Sequence, residues 1–403
     1  MSMVTPPAAN GAQGSKRLQS VVRALLEHGT MSRTELAALT GYSQSSMTGS
    51  IRMLMRLGHV METGRGRSTG GRRRTMLEFD RRSVLLMLIS VDSGHLVARQ
   101  VDLSGTVHVQ VRRRLDPERP LASVLNAIDA LQGAAESPST CAIISLPGVV
   151  SAEGDVSLAP ALGQPTDRRL QDVVAEASGL HTIGENDVNL LALGEAVGGA
   201  AQDVKDFGLI FVGDGIGGAL VLDGRVHRGV SGSAGEIGFL PWNGTPSSGG
   251  SAFGPLESNW SVSALRSKAE DIGIDAAETN VVEALEGSDM PEARVLLDAA
   301  MDAWAYAGIV LTCVINPGRV VFAGGAVHLS VSSRAALSAK VLAGSPSPIE
   351  VCFAELGDGA IVNGAISHLQ SAPWIFLPED EEHPDPHRST AGPDKEPPEE
   401  LLS

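Results

Sequence analysis

The polar and apolar positions at the start of the chain fall into helical periods. From Arg17, the residues Leu18, Val21, Val22, Leu25 and Leu26 recur at i, i+3, i+4, i+7 and i+8, one face of an amphipathic helix that Gly29 ends. In SRTELAALTG, Ser32 and Glu35 have the spacing of a capping box, with Leu36, Ala37 and Leu39 expected to face inward and Gly41 to stop the helix. Ser43 can cap a third helix whose Met47, Ile51, Leu54 and Leu57 point to the core, while Gln44, Ser45, Thr48 and Arg52 face outward and Gly58 closes it. HVMETGRGRSTGGRRRTMLEF then reads as two short β-prone pieces around a loop of Gly and Arg. Three short helices and a hairpin predict a winged helix-turn-helix over residues 15–82, after a disordered stretch 1–14.

A different pattern begins at VLLMLISVDSG, an apolar strand running into a Gly turn, and strand-like and helix-like segments alternate from there to about Leu369. That alternation predicts an α/β body over residues 83–371. The longest apolar run, Ala303 to Ile315, falls short of the roughly 18 residues of a membrane span and reads as a buried helix. The N-terminus has no apolar run behind a basic start, so a secretory signal is not expected and the chain reads as cytoplasmic, with no membrane partner. From Ala372 the composition turns to Pro and acid, with 9 acidic and 2 basic residues, and a disordered acidic tail is expected over 372–403. Cys141, Cys313 and Cys352 are odd in number, far apart and set in apolar runs, which predicts buried free thiols.

Charge sharpens the division. Residues 1–82 carry 13 Lys and Arg against 5 Asp and Glu, net +8; the whole chain is at −16, so the rest stands at −24. Only the head is suited to meet a polyanion. A recognition helix needs short polar side chains and an Arg near its N-terminus to reach base edges and phosphates, and Gln44, Ser45, Ser46, Thr48 and Arg52 suit that. Such a face alone would also suit plain solvation. Arg65, Arg67, Arg72, Arg73 and Arg74 around the Gly-rich loop decide the matter, because that run fits phosphate contact or minor-groove insertion on double-stranded DNA.

The motifs then resemble a known family over nearly the whole chain. STGGRRR at 68–74, LPGVV at 146–150, ENDVNLLALGEA at 185–196, GDGIGGALVLDGRVHRG at 213–229, AGEIGF at 234–239, INPGRVVFAGG at 315–325 and LGDGAIVNGA at 356–365 stand in the order and approximate spacing of the ROK family. That family joins bacterial sugar kinases with transcriptional repressors. The resemblance implies an N-terminal winged helix-turn-helix followed by a two-lobed, actin-like (hexokinase-type) α/β domain. It also implies that Asn186, Asp187, Glu236 and Glu257 contact a sugar, and that the protein associates through its body as a homodimer or higher homo-oligomer.

The chain departs from the family where the kinases handle phosphate. The first phosphate loop, Asp-x-Gly-Gly-Thr in the family, is Asp92-Ser93-Gly94-His95-Leu96 here, so a glycine has become bulky and a hydroxyl apolar. The Gly-Thr-Gly of the second loop is Gly213-Asp214-Gly215. An uncompensated carboxylate about 4 Å from a phosphate costs about 4 kcal/mol at an effective dielectric near 20, roughly a thousandfold in affinity. The position of the family's catalytic base is kept as Asp187, which serves equally as an acceptor for sugar hydroxyls. The zinc ligands are replaced by Phe239, Ser248, Gly250 and Pro255, so no metal is expected. The family's sugar-touching Asn is Ala161.

These readings converge on a DNA-binding transcriptional regulator, expected to repress, whose degenerate kinase-like body senses a sugar or sugar derivative. No catalytic residue or cofactor is assigned. An active carbohydrate kinase with a DNA-binding appendage is the alternative that His95, Leu96 and Asp214 oppose. A regulator answering to a protein partner would fit Ala161 and Phe239.

Overall fold

The computed structural model describes residues 9–65, 74–92, 94–151, 156–158, 169–244, 253–276 and 279–377. The chain divides into two compact units, one built on the residues up to Phe79 and the other on Asp80–Phe376.

In the head, α1 (Ala9–His28) buries Leu18, Val21, Val22, Leu25 and Leu26, the predicted stripe. It is followed by β1 (Met31–Ser32), α2 (Arg33–Thr40) and α3 (Gln44–Arg56), then by the hairpin of β2 (Val60–Arg65) and β3 (Thr75–Phe79). The capping box of α2 is formed: Glu35 N donates to Ser32 Oγ at 3.3 Å and Ser32 N to Glu35 Oε2 at 2.7 Å, and Gly41 ends the helix at φ 75°. Two bonds from Ser32 to one carboxylate hold the Glu35 carboxyl below its usual range. In α3, Met47, Ile51 and Leu54 are fully buried. The three strands pair in the order β1-β3-β2, with Val60 opposite Phe79 and Arg65 opposite Thr75.

One inward position was misread: Leu39 is 52% exposed. Successive helical residues turn by about 100°, so Leu36, Ala37 and Thr40 share one side of α2 while Leu39 falls on its flank. An eight-residue helix has no further turn to bring that flank back to the core.

The body repeats one topology. In the first lobe, β4 (Leu85–Asp92), β5 (His95–Asp102) and β6 (Val107–Arg114) form an antiparallel meander. Then α4 (Pro120–Ala134) leads to β7 (Cys141–Leu146), and the short pair β8 (Val149–Val150) and β9 (Val156–Leu158) precedes α5 (Leu170–Ser178) and β10 (Thr182–Asn186). The sheet order is β10-β7-β4-β5-β6, with β7 parallel to both its neighbours. After α6 (Asp187–Gly198) the second lobe begins with a second meander, β11 (Phe207–Val212), β12 (Ile216–Leu222) and β13 (Arg225–Val226). It continues with α7 (Pro255–Trp260), α8 (Val262–Asp271), α9 (Val281–Glu286), α10 (Pro291–Ile315), β14 (Arg319–Gly324), α11 (Val331–Gly344), β15 (Glu350–Phe353) and α12 (Gly359–Ser371). Its sheet order, β13-β12-β11-β14-β15, is the same pattern of meander plus two parallel crossovers. This is the two-lobed α/β architecture expected from the motifs.

Each lobe has its own core. Met87, Ile89, Leu96, Ile128 and Ile144 are central to the first; Trp304, Phe322, Leu265 and Leu337 are central to the second. By length and composition α10 could cross a membrane, but over half of its most apolar window is buried inside this unit. Its last turn differs from expectation. Leu311 and Thr312 face the core, whereas Cys313 is exposed and Val314 is 74% exposed, because an apolar run longer than the core presents its remaining side to water. Cys141 is buried and Cys352 half-buried. The expected tail boundary also moves. Pro373–Ile375 form a short 3-10 turn, and Ile375, Phe376 and Leu377 are buried, because the four apolar residues Trp374–Leu377 precede the acidic run. The remainder of the expected tail lies outside the described residues.

The two lobes are joined by the crossing of α6 and α12, for which glycine is required. A Cβ on Gly364 would lie 1.8 Å from the carbonyl oxygen of Leu190, and one on Gly194 would lie 2.0 Å from that of Ala360. Both obstacles are backbone and cannot swing away. Beside the crossing, fully buried Glu195 accepts hydrogen bonds from Ala200 N at 2.7 Å, Glu355 N at 3.1 Å and Leu356 N at 3.0 Å, fastening the approach to α12. Gly364→Ala should therefore force the helices apart and destabilise the body by about 1–3 kcal/mol, the range for overpacked sites. Denaturant unfolding measures this, and an unchanged midpoint would show that the crossing can loosen freely.

Candidate functional site

Two surfaces carry the chemistry. On the head, Ser43 caps α3, its Oγ accepting from Ser46 N at 3.3 Å and donating to Ser46 Oγ at 3.0 Å. Ser46 is thereby drawn into the cap and half-buried, so it is less available to a ligand than the sequence suggests. Gln44, Ser45, Thr48 and Arg52 are all exposed, and Gln44, Thr48 and Arg52 line up at i, i+4 and i+8. Thr48 Oγ1 donates back to the Gln44 carbonyl at 2.8 Å, which leaves its methyl and the acceptor side of its hydroxyl available to a partner. Arg74 is exposed at the start of β3, and Arg65 ends β2. Arg67, Arg72 and Arg73 lie outside the described residues.

In the body, a cleft of about 1110 Å³ opens between the lobes. All four expected ligand residues line it. Asn186 ends β10 and caps α6, its Oδ1 accepting from Asn189 N at 2.9 Å and its Nδ2 donating to Gly148 O at 2.7 Å. Asp187 is the first residue of α6 and accepts from its neighbour Val188 N at 2.8 Å. Glu236 precedes a 3-10 turn at Ile237–Phe239, and Glu257 belongs to α7. Glu257 Oε1 accepts from Ile216 N at 3.2 Å; a Cβ on Gly215 would come within 2.3 Å of that oxygen, so the glycine makes room for the carboxylate.

These acids form no ion pair with a described residue, and their titration reflects it. Burial pushes the Asp187 carboxyl up to about 7, with the Glu236 charge adding to the effect. Burial pushes Glu236 up to about 7 as well, assisted by Glu257. Glu257 is raised by burial against the opposing hydrogen bonds from Gly254 and Ile216. Near neutral pH Asp187 and Glu236 are poised between hydroxyl donor and carboxylate acceptor, which suits a polyhydroxyl ligand that needs both.

The phosphate loops are arranged differently from expectation. Gly94 lines the cleft, but His95 is not among the lining residues, and Leu96 is fully buried in the core of the first lobe. Leu96 therefore does not crowd the cleft; its effect is to replace the hydroxyl at that position with an apolar side chain turned into the core. The second loop is closed on itself, Gly213 N donating to Gly215 O at 2.8 Å and Val262 N to Gly213 O at 2.7 Å. Asp214 is exposed beside the start of α8 and accepts from Ser263 Oγ at 2.9 Å. A carboxylate thus sits by a helix N-terminus that would otherwise favour an anion.

Phe239 lines the cleft and Pro255 opens α7; Ser248, Gly250 and Ala161 lie outside the described residues. No group of His, Cys, Asp and Glu suited to a metal occurs among the described residues. The cleft also includes Phe253, Asn280 and Arg266, which sequence reading missed because no periodic signal marks a side chain in a loop or on a helix flank. Arg266 Nε is buried without a hydrogen-bond partner.

The duplicated lobes, the interlobe cleft and its carboxylates define a sugar-kinase-like protein, and comparison places it within that class. The ROK family model matches residues 89–371, and the chain belongs to the ROK family. It is 26% identical over 362 residues to the xylose repressor of Bacillus subtilis (strain 168), covering 86% of this chain and 93% of that one. It is 28% identical over 236 residues to the DNA-binding transcriptional dual regulator NagC of Escherichia coli (strain K12), covering 56% and 57%. Among solved structures, a ROK family transcriptional regulator homologous to Escherichia coli Mlc superposes with TM-score 0.75 at 21% identity, over 91% of this chain and 98% of the other. The ROK hexokinase of Thermus thermophilus superposes with TM-score 0.58 at 25% identity, over 72% and 99%.

The titration of the trio has a measurable sign. A carboxyl raised in the folded state favours folding at acid pH and disfavours it as pH rises through the raised value. Glu236→Gln should raise the melting temperature at pH 8, where the native acid must ionise among neighbours, and change it little at pH 5. Equal shifts at both pH values would contradict the raised carboxyls.

Proposed function

We propose that the protein is a sugar-responsive transcriptional repressor: the head binds double-stranded operator DNA, and the cleft binds a sugar or sugar derivative through Asn186, Asp187, Glu236 and Glu257. The carrying observation is that one chain joins an exposed, polar recognition helix to a cleft where those four side chains meet. Relatives named as xylose and N-acetylglucosamine repressors support the same reading. We read the body as non-enzymatic, because Asp214 sets a carboxylate where the kinases of the family receive phosphate and Leu96 stands where the first loop of those kinases carries Thr. Effector binding changes lobe closure, and closure alters the spacing of heads paired in a cytoplasmic homodimer or higher homo-oligomer. Genome-wide mapping of bound DNA followed by footprinting tests the whole reading. Two-fold half-sites about one helical turn or a multiple apart are expected, and absence of any specific site overturns it.

Changing Arg72, Arg73 and Arg74 together to Ala should weaken binding to all sequences alike and flatten the dependence of affinity on salt by up to about 2.7 in slope, roughly 0.9 per phosphate contact. Ser45→Ala or Thr48→Ala should instead shift sequence preference. Titrations at several salt concentrations decide this; an unaltered slope removes the wing from the interface.

Asp187→Asn keeps the size of the side chain but removes an acceptor charge. With D-xylose and N-acetylglucosamine as probes, it should reduce sugar-induced release from DNA while leaving DNA affinity without sugar nearly unaltered. Phosphorylated sugar formed at enzyme-like rates by the unchanged protein with ATP would establish the kinase alternative.

A further inference from the structure

Glu185 stands one place before Asn186 at the end of β10 and is only 2% exposed. A carboxylate buried to that degree persists only when it is partnered. Its Oε1 accepts from Asn186 N at 2.9 Å and from Asn189 Nδ2 at 3.0 Å. Its Oε2 accepts from the Arg228 guanidinium, and His368 Nδ1 stands 3.7 Å away. These partners come from β10 itself, from α6, from the segment after β13 and from α12.

Arg228 begins a segment of the second lobe that presses on the first at two places. One is the ion pair with Glu185. The other is Gly232, at φ 83°, where an added Cβ would lie 2.4 Å from the carbonyl oxygen of Val150 in β8. Ala234 N closes the segment on Arg228 O at 3.1 Å, and two residues later the chain reaches Glu236. A partly buried ion pair therefore ties the wall bearing Asn186 and Asp187 to the wall bearing Glu236. Burial holds the His368 imidazole below its usual range, Glu185 pulling it up and Arg228 pushing it down, so the standing cation beside Glu185 is Arg228.

Building on the effector cleft described above, we propose that Glu185 and Arg228 are positioning residues, an interlobe latch that sets the spacing of the sugar-binding side chains and passes lobe closure to α12 through His368. A partly buried ion pair is suited to this because it does not stretch gradually. Parting its members leaves an uncompensated charge inside the protein, so the lobes favour a latched or an unlatched arrangement over intermediates.

The full chain tests this in two ways. Without ligand, Arg228→Gln should speed amide hydrogen exchange in residues 182–190, in 226–236 and around His368 together, leaving residues 15–62 unchanged. Arg228→Lys, which keeps the charge with a single donor head, should restore most of that protection. Exchange that rises in 226–236 alone would overturn the latch. With D-xylose and N-acetylglucosamine as probes, whichever sugar the unchanged protein binds should bind about tenfold more weakly to Arg228→Gln, within the range of coupled sites, and more weakly by a smaller factor of about three to Arg228→Lys. Affinity equal to the unchanged protein in both variants would also overturn it. If Arg228→Gln does not fold, the Lys variant decides by the same measures. If neither sugar binds the unchanged protein, the effector reading fails, and the exchange pattern still judges the latch.

Discussion

The crossing of α6 and α12 fixes how closely the two halves of the body can approach. Backbone meets backbone there, with only hydrogen atoms of glycine between, so the helices are set at a separation that side chains cannot adjust. Everything that makes the cleft follows from that separation. Asp187 is the first residue of α6, Asn186 is its cap, and Glu195 near its other end fastens the approach to α12. A looser crossing would move the first of these relative to Glu236 and Glu257, which belong to the second lobe. Burial between the lobes is what chiefly raises the titration of these acids, with repulsion from Glu236 on Asp187 and from Glu257 on Glu236 added to it.

Much of this was legible in the sequence because short-range rules govern it. The capping box at Ser32 and Glu35, the stripe from Leu18 to Leu26 and the glycine stops each depend on neighbours within a turn or two. Misreadings occurred where a residue's surroundings come from far along the chain. Leu39 has the right period but lies on the flank of a helix too short to use it. Cys313 sits in an apolar run whose outer side nothing described covers. The apolar residues Trp374–Leu377 were hidden by the acidic run that follows them.

The functional residues divide in the same way. The four cleft residues Asn186, Asp187, Glu236 and Glu257 were singled out through motifs, yet periodicity alone would not have marked them, since their common address is a cleft between lobes. Arg228 was overlooked because its partner lies 43 positions earlier and only the folded body brings them together. The roles given to His95 and Leu96 changed for a simpler reason. Alternation along β5 turns Leu96 into the sheet's core face, and side chains two apart on a strand share a face while adjacent ones do not.

The outward turn at Cys313 has a practical consequence. Thiol reactivity follows access and the ease of forming thiolate. Cys141 is buried with its thiol pushed up to about 12, and Cys352 is half-buried and raised as well, whereas Cys313 faces water on the last turn of a rigid core helix. The unaltered chain thus provides a near-selective attachment point for a maleimide dye or spin label on the second lobe. Movement of the lobes can be followed from there without introducing a cysteine near the cleft.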